Sequence, residues 1–111
     1  MLARPHRITR GADYKAVVRR GVRSAGAQTI TYVTLTGEER PARFGFIVSK
    51  QVGTAVVRNT IRRRLKAICS EALPSVRMGA DVVIRALPSS ADNDYQSLRD
   101  EVRRSLEKKA S

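Results

Sequence analysis

The chain has 111 residues, with 22 Lys+Arg against 10 Asp+Glu and a formal charge of +12, which is enough length for one domain with a single modest core. It has no run of about 18 apolar residues that could span a membrane, its single cysteine excludes an internal disulfide, and its basic start, MLARPHRITRG, lacks the apolar segment of a secretory signal, so a cytoplasmic protein is expected. Residues 1–70 hold 15 bases and 3 acids whereas residues 71–111 hold 7 of each, and 17 of the 22 bases are Arg, a pattern that points to a polyanionic partner.

Arg4 to Arg10 is a basic arm interrupted by Pro5; from composition alone it reads as a solvated tail. Thr9 or Arg10 to Arg20 reads as a helix with Tyr14, Val17 and Val18 on one side and Gly21 as its stop. Gln28 to Thr36 (QTITYVTLT) alternates and is rich in β-branched residues, which makes it a strand. Ile30, Tyr32 and Thr34 share one face, and Thr29, Thr31, Val33 and Leu35 the other. Gly37 to Pro41 is a polar turn, and Arg43 to Ser49 (RFGFIVS) is a second strand, expected to pair with the first as an antiparallel hairpin. Gly45 weakens that strand unless another group comes close there; a bulge is the alternative.

Val48 to Ala72 (VSKQVGTAVVRNTIRRRLKAICSEA) runs from the end of that strand through a Gly-containing loop into a helix with five basic residues and no acid before Glu71. Thr54 is the N-cap, and Gly53 lets the backbone turn into it. At about 100° per residue, Val57, Ile61, Leu65, Ile68 and Ala72 fall within roughly 80° of one another. Arg58, Arg62, Lys66, Asn59 and Arg63 follow on the adjacent face, spread over roughly 140°. One stripe is for burial, and the neighbouring face suits an anion. The stripe is too narrow and too poor in aromatics for a membrane surface, so nucleic acid is the favoured partner. Cys69, at the edge of the stripe, reads as a small buried hydrophobe.

Pro74 ends the periodic pattern, Met78-Gly79 turns the chain, and Ala80 to Ala86 (ADVVIRA) is a short strand with a buried centre. Asn93 caps a last helix with Gln96 at its third position; Tyr95, Leu98, Val102 and Leu106 form the apolar face, and Glu107 to Ser111 are expected to fray. The result is a single α+β domain over residues 1–111, helices against a small sheet in a two-layer sandwich, with residues 1–8 as its arm.

The stretch from Ser49 to Arg63 resembles the signature of the protein subunit of bacterial ribonuclease P, the ribonucleoprotein that removes 5′ leaders from precursor tRNA. That signature reads approximately S-K-K-x-G-x-A-V-x-R-N-R-x-K-R. Ser49, Lys50, Gly53, Ala55, Val56, Arg58, Asn59, Arg62 and Arg63 match it at the right spacing; Gln51 and Thr60 depart from it. Arg7-Ile8 and Tyr14 match a basic–apolar pair and the first of two aromatics, while Val18 stands in place of the second. The resemblance implies an αβββαβα order, ribosomal-protein-S5-domain-2-like, with one more short strand near Val22–Ala25 and a left-handed βαβ crossover, where the general rule would give a right-handed one.

The resemblance also implies that the RNA subunit performs the magnesium-dependent hydrolysis, with Mg2+ held mainly by RNA, while the protein binds that catalytic RNA and the 5′ leader of precursor tRNA. On this implication Arg58, Asn59, Arg62, Arg63 and Lys66 face the RNA subunit, and Arg7, Tyr14, Val18, Tyr32 and Lys50 line a cleft for the leader. No membrane, no protein-held metal and no obligate protein partner is expected. The residues themselves offer no catalytic set. His6 is the only histidine and has no carboxylate near it in sequence, and Cys69 has no second histidine to activate it. Asp92-Asn93-Asp94 begins like a calcium loop, but Ser97 stands where its Gly belongs. A structural RNA-binding protein would share the basic helix. A DNA regulator is disfavoured, because a strand and a Gly loop precede that helix where a helix-turn-helix needs a helix.

Overall fold

The fold is described from a computed structural model covering residues 2–111. Its elements in chain order are α1 (Gly11–Arg20), β1 (Val22–Ala25), β2 (Thr29–Leu35), β3 (Arg43–Ile47), α2 (Ala55–Ala72), β4 (Ala80–Ala86) and α3 (Tyr95–Lys109), the αβββαβα order implied by the resemblance. The sheet order is β1-β2-β4-β3, with β4 antiparallel to β2 and parallel to β3.

This order corrects one expectation. β2 and β3 do not form a hairpin, because β4 lies between them. The cause is visible in β4 itself: Ala80 to Ile84 are buried on both faces, and a strand apolar on both sides belongs at the centre of a sheet. The hairpin is instead β1 with β2, in the register Ala25 to Ile30 and Val22 to Val33.

The pleat sends alternate residues to two cores. Val33, Phe44, Val82 and Ile84 meet Ile61, Leu65 and Ile68 of α2 and Leu98, Val102 and Leu106 of α3. Tyr32 and Val83 meet Ile8 and Val17, with Tyr14, Val18, Ile30 and Ile47 at the margin. The sheet with α2 and α3 makes the two expected layers, and α1 lies on the opposite face as a partial third.

In α2 the expected stripe is buried at Ile61, Leu65, Ile68 and Ala72 and half-buried at Val57, and each large buried apolar side chain there contributes about 1.5–3 kcal/mol. Thr54 caps the helix by accepting from the Val57 N–H at 3.4 Å. Gly53 precedes it at φ +157°, where a Cβ would come within 2.9 Å of Val57 Cγ1, so only glycine fits the entry turn. Cys69 is fully buried, which pushes its thiol pKa upward and keeps it protonated.

Three end regions differ from expectation. The arm is not a solvated tail: Leu2 and Ile8 are buried, and the Ile8 N–H donates to the Phe44 carbonyl at 2.8 Å, which covers part of the edge of β3. Asp94 rather than Asn93 caps α3, accepting from the Ser97 N–H at 2.8 Å, while the Asn93 side chain donates to the Ser89 carbonyl. The C-terminus does not fray at 107, because the Ala110 carbonyl accepts from the Arg77 N–H at 2.6 Å and Ala110 is buried. Glu101 is buried as well, a feature the sequence pattern did not suggest. Its carboxylate accepts from the Gln28 N–H and from Thr29 Oγ1 at 2.6 Å, which ties the β1–β2 hairpin to α3.

Candidate nucleic-acid interface

The arginines fall into two groups. Arg40 and Arg43 pair with Asp81, and Arg99 and Arg103 pair with Glu71. The hydrogen bonds from Arg43 to Asp81 raise the Arg43 pKa above its ordinary value. By contrast, among the described residues no carboxylate lies within ion-pairing distance of Arg58, Arg62, Arg63, Arg64 or Lys66 on α2. These cations are clustered on one helix with no acid among the described residues to neutralise them.

Asn59, Arg62, Arg63 and Lys66 come together with Val56 around a surface groove of about 490 Å³. Arg62 is steadied by hydrogen bonds to Asn59 Oδ1 at 3.2 Å and the Val48 carbonyl at 3.4 Å. Val56 is 76 % exposed, an apolar surface within a basic face. Arg58 does not join the groove lining; it is half-buried, and its Nε finds no partner. Arg64 turns to the other flank and donates to the Asn93 carbonyl. Thr60, where the family signature has arginine, donates its hydroxyl to the Val56 carbonyl.

Arg62 and Lys66 also line a second groove, of about 220 Å³, together with Arg7, Tyr14 and Phe46 at the edge of β3. Beyond Tyr14 lies a third, of about 560 Å³, on the sheet face beside α1, lined by Tyr14, Lys15, Val18, Arg19, Ile47 and Arg85. Tyr14 is the wall between the last two. Its ring is seated on Gly45, where a Cβ would come within 2.5 Å of Tyr14 Cε1, and its hydroxyl accepts from the Phe46 N–H at 3.2 Å. Gly45 is therefore a close-approach site and not a bulge, since its register opposite Val83 is uninterrupted.

Of the residues proposed for the cleft, Arg7, Tyr14 and Val18 line these grooves. Tyr32 does not: it is 9 % exposed and packs in the core beneath α1. Lys50 is exposed in a short 3₁₀ turn after β3 and lines none of the three. Lys15, Arg19, Ile47 and Arg85 were not nominated from the sequence. Arg85 carried the clearest signal, as the one polar residue after a buried strand centre, exposed on β4 and without an ion-pair partner among the described residues.

No three His, Cys, Asp or Glu side chains among the described residues converge on a possible metal site. Asp13 and Asp81 both pair with Arg43, a cation in the place a magnesium ion would need, so these two carboxylates do not fit one. Among the described residues no helix is long and apolar enough to cross a membrane.

Comparison with known proteins agrees with this architecture. The Ribonuclease P family model matches residues 2–110. The ribonuclease P protein component of Clavibacter michiganensis subsp. michiganensis is 45 % identical over 102 residues, covering 92 % of this chain and 90 % of that protein. The corresponding protein of a Nocardioides species is 41 % identical over 109 residues, covering 96 % and 92 %. The solved RNase P protein of Staphylococcus aureus superposes with a TM-score of 0.81 at 25 % identity, covering 93 % of each chain. That of Thermotoga maritima gives 0.84 at 17 % identity, covering 95 % and 98 %, a likeness of fold. Matched along nearly its whole length by sequence and by fold, the chain belongs to the ribonuclease P protein family.

Proposed function

We propose that this chain is the RNA-binding subunit of ribonuclease P. Its α2 face engages the catalytic RNA, its grooves on either side of Tyr14 hold the 5′ leader of precursor tRNA, and the RNA cuts. The observation that carries this reading is the set of acid-free cations on α2, continuous through Arg62 and Lys66 with the grooves at Tyr14. Arginines with no acid paired to them among the described residues are available to phosphates, and each neutralised phosphate adds a salt-dependent increment to affinity. An aromatic wall flanked by small and apolar side chains suits an unpaired strand, whose bases stack on it.

The roles then divide by position. Asn59, Arg62, Arg63 and Lys66 meet the RNA subunit, with Arg58 at the margin. Arg7, Tyr14 and Val18 meet the leader together with Lys15, Arg19 and Arg85. With valine at position 18, the exposed Arg85 guanidinium in the same groove offers a second planar surface for a base. Tyr32 supports Tyr14 and Val18 from beneath, and Lys50 contributes charge from the flank. Magnesium belongs to the RNA in this reading. The protein's part is to lower phosphate repulsion around it, so that less free magnesium is needed. The assembly is cytoplasmic and requires no further protein partner.

Tyr14→Ala in the reconstituted holoenzyme is expected to weaken binding of leader-bearing precursor about tenfold, the loss of one stacked base, and to leave mature tRNA nearly unaffected. Equal losses for both RNAs would remove Tyr14 from the leader site.

A further inference from the structure

The sheet face under α1 is electrically uneven along its length. Residues opposite one another form three rows: Thr34, Asp81 and Arg43; then Tyr32, Val83 and Gly45; then Ile30, Arg85 and Ile47. The third row meets Lys15 and Arg19 of α1 in the groove described above, so three cations gather there, with no acid paired to Arg85 among the described residues. The first row is different. Arg43 is bidentate to Asp81 at 2.9 and 3.0 Å, and Arg40 reaches Asp81 at 2.9 Å and Glu38 at 2.7 Å. Asp13 approaches Arg43 at 3.9 Å. Three carboxylates there outweigh two guanidiniums.

Packing alone asks for only part of this. The buried Asp81 needs Arg43, but Asp13 and Glu38 are 38 % and 62 % exposed in their side chains, and such pairs add little to stability. Yet Asp13, Glu38 and the adjoining Glu39 are the only acids in residues 1–70. In a segment otherwise stripped of negative charge, two of its three acids join one ion-pair chain, and the third adjoins it.

We propose that this acidic end is an electrostatic stop for the strand-binding groove. Phosphates lie over Lys15, Arg19 and Arg85, and at Tyr14 the strand is turned over the β3 edge toward Arg62 and Lys66 instead of running on to Arg43. Asp13 is the register-setting residue, because it stands on α1 one position before Tyr14, where the path would otherwise continue. Asp81 and Arg43 hold the stop rigid across the parallel β3–β4 pair. This rests on the reading that the groove takes a single-stranded leader.

The test uses holoenzyme reconstituted with native protein, Asp13→Asn or Asp13→Lys, and precursor tRNAs with leaders of increasing length. With native protein, affinity rises with leader length and then levels off. With Asp13→Lys, the plateau should move out by about one nucleotide, and the salt slope for the longest leader should steepen by about 0.7, one further single-strand phosphate. Asp13→Asn should shift both in the same direction by less. If Asp13→Lys melts below the native protein, Asp13→Asn decides. An unchanged plateau and slope in a folded variant overturns the stop while leaving the groove reading intact. No dependence on leader length in the native holoenzyme overturns the groove reading, and the stop with it.

Discussion

Replacing Arg62 and Arg63 together with alanine is expected to weaken binding to the catalytic RNA about 100-fold and to flatten the salt slope by roughly one to two units. A hydrogen bond to a charged group contributes about 1.5–3 kcal/mol, so each arginine is worth roughly tenfold or more. Among the described residues neither side chain has an acid partner, and both line the same groove on α2, so the loss falls mainly on the RNA contact. Arg99 and Arg103 provide the contrast. Both are bound to Glu71, whose carboxylate is held below its usual pKa by the hydrogen bond from Arg99. Alanine at those positions should leave the salt slope as it is. Titrating RNA binding from low to high salt compares the two pairs directly, and an unchanged slope for the Arg62/Arg63 variant would take α2 out of the RNA interface.

Gly45→Val is expected to have the largest effect on stability. Any Cβ at this position meets Tyr14 Cε1, Cζ and Oη at 2.5 to 2.8 Å, so the ring must leave its seat. Overpacking of this kind costs about 1–3 kcal/mol, and losing the hydrogen bond from the Phe46 N–H to the Tyr14 hydroxyl adds about 1 kcal/mol. The wall between the two grooves moves with the ring, so leader-dependent binding should fall while contact with the RNA subunit through α2 persists. A double-mutant cycle separates crowding from a general strand effect. In a Tyr14→Ala background the valine has room, and its cost in urea unfolding should drop below about 1 kcal/mol. Additive costs would mean that the ring is not what demands glycine.

The parts of this fold that were legible in the sequence are those fixed by local physics. Thr54, the stripe from Val57 to Ala72 and the acid-free face beside it specify α2 without reference to the rest of the chain, and β2 and β4 follow from alternation and from a doubly buried centre. Pairing between strands was less accessible. Nothing local in RFGFIVS says that its neighbour is β4, which follows only after the whole of α2, and the crossover through α2 is a long-range choice. The arm failed for a similar reason, because Leu2 and Ile8 become core residues only once the β3 edge exists to receive them. The site divides in the same way. Asn59, Arg62, Arg63 and Lys66 share a helix face and come together as expected. The groove across α1, β3 and β4 draws on three separate elements, so Arg85 and Arg19 emerged only in the folded chain, and Tyr32, placed in the cleft by the resemblance, lies beneath α1.

The most direct measurement is cleavage of precursor tRNA at low magnesium by the protein alone, by a bacterial ribonuclease P RNA alone, and by the two combined. Efficient removal of the 5′ leader is predicted only for the combination, with the RNA alone recovering activity as magnesium is raised. Hydrolysis by the isolated protein, or no gain on adding it to the magnesium-limited RNA, would contradict a role in which this chain holds RNA for another molecule to cut.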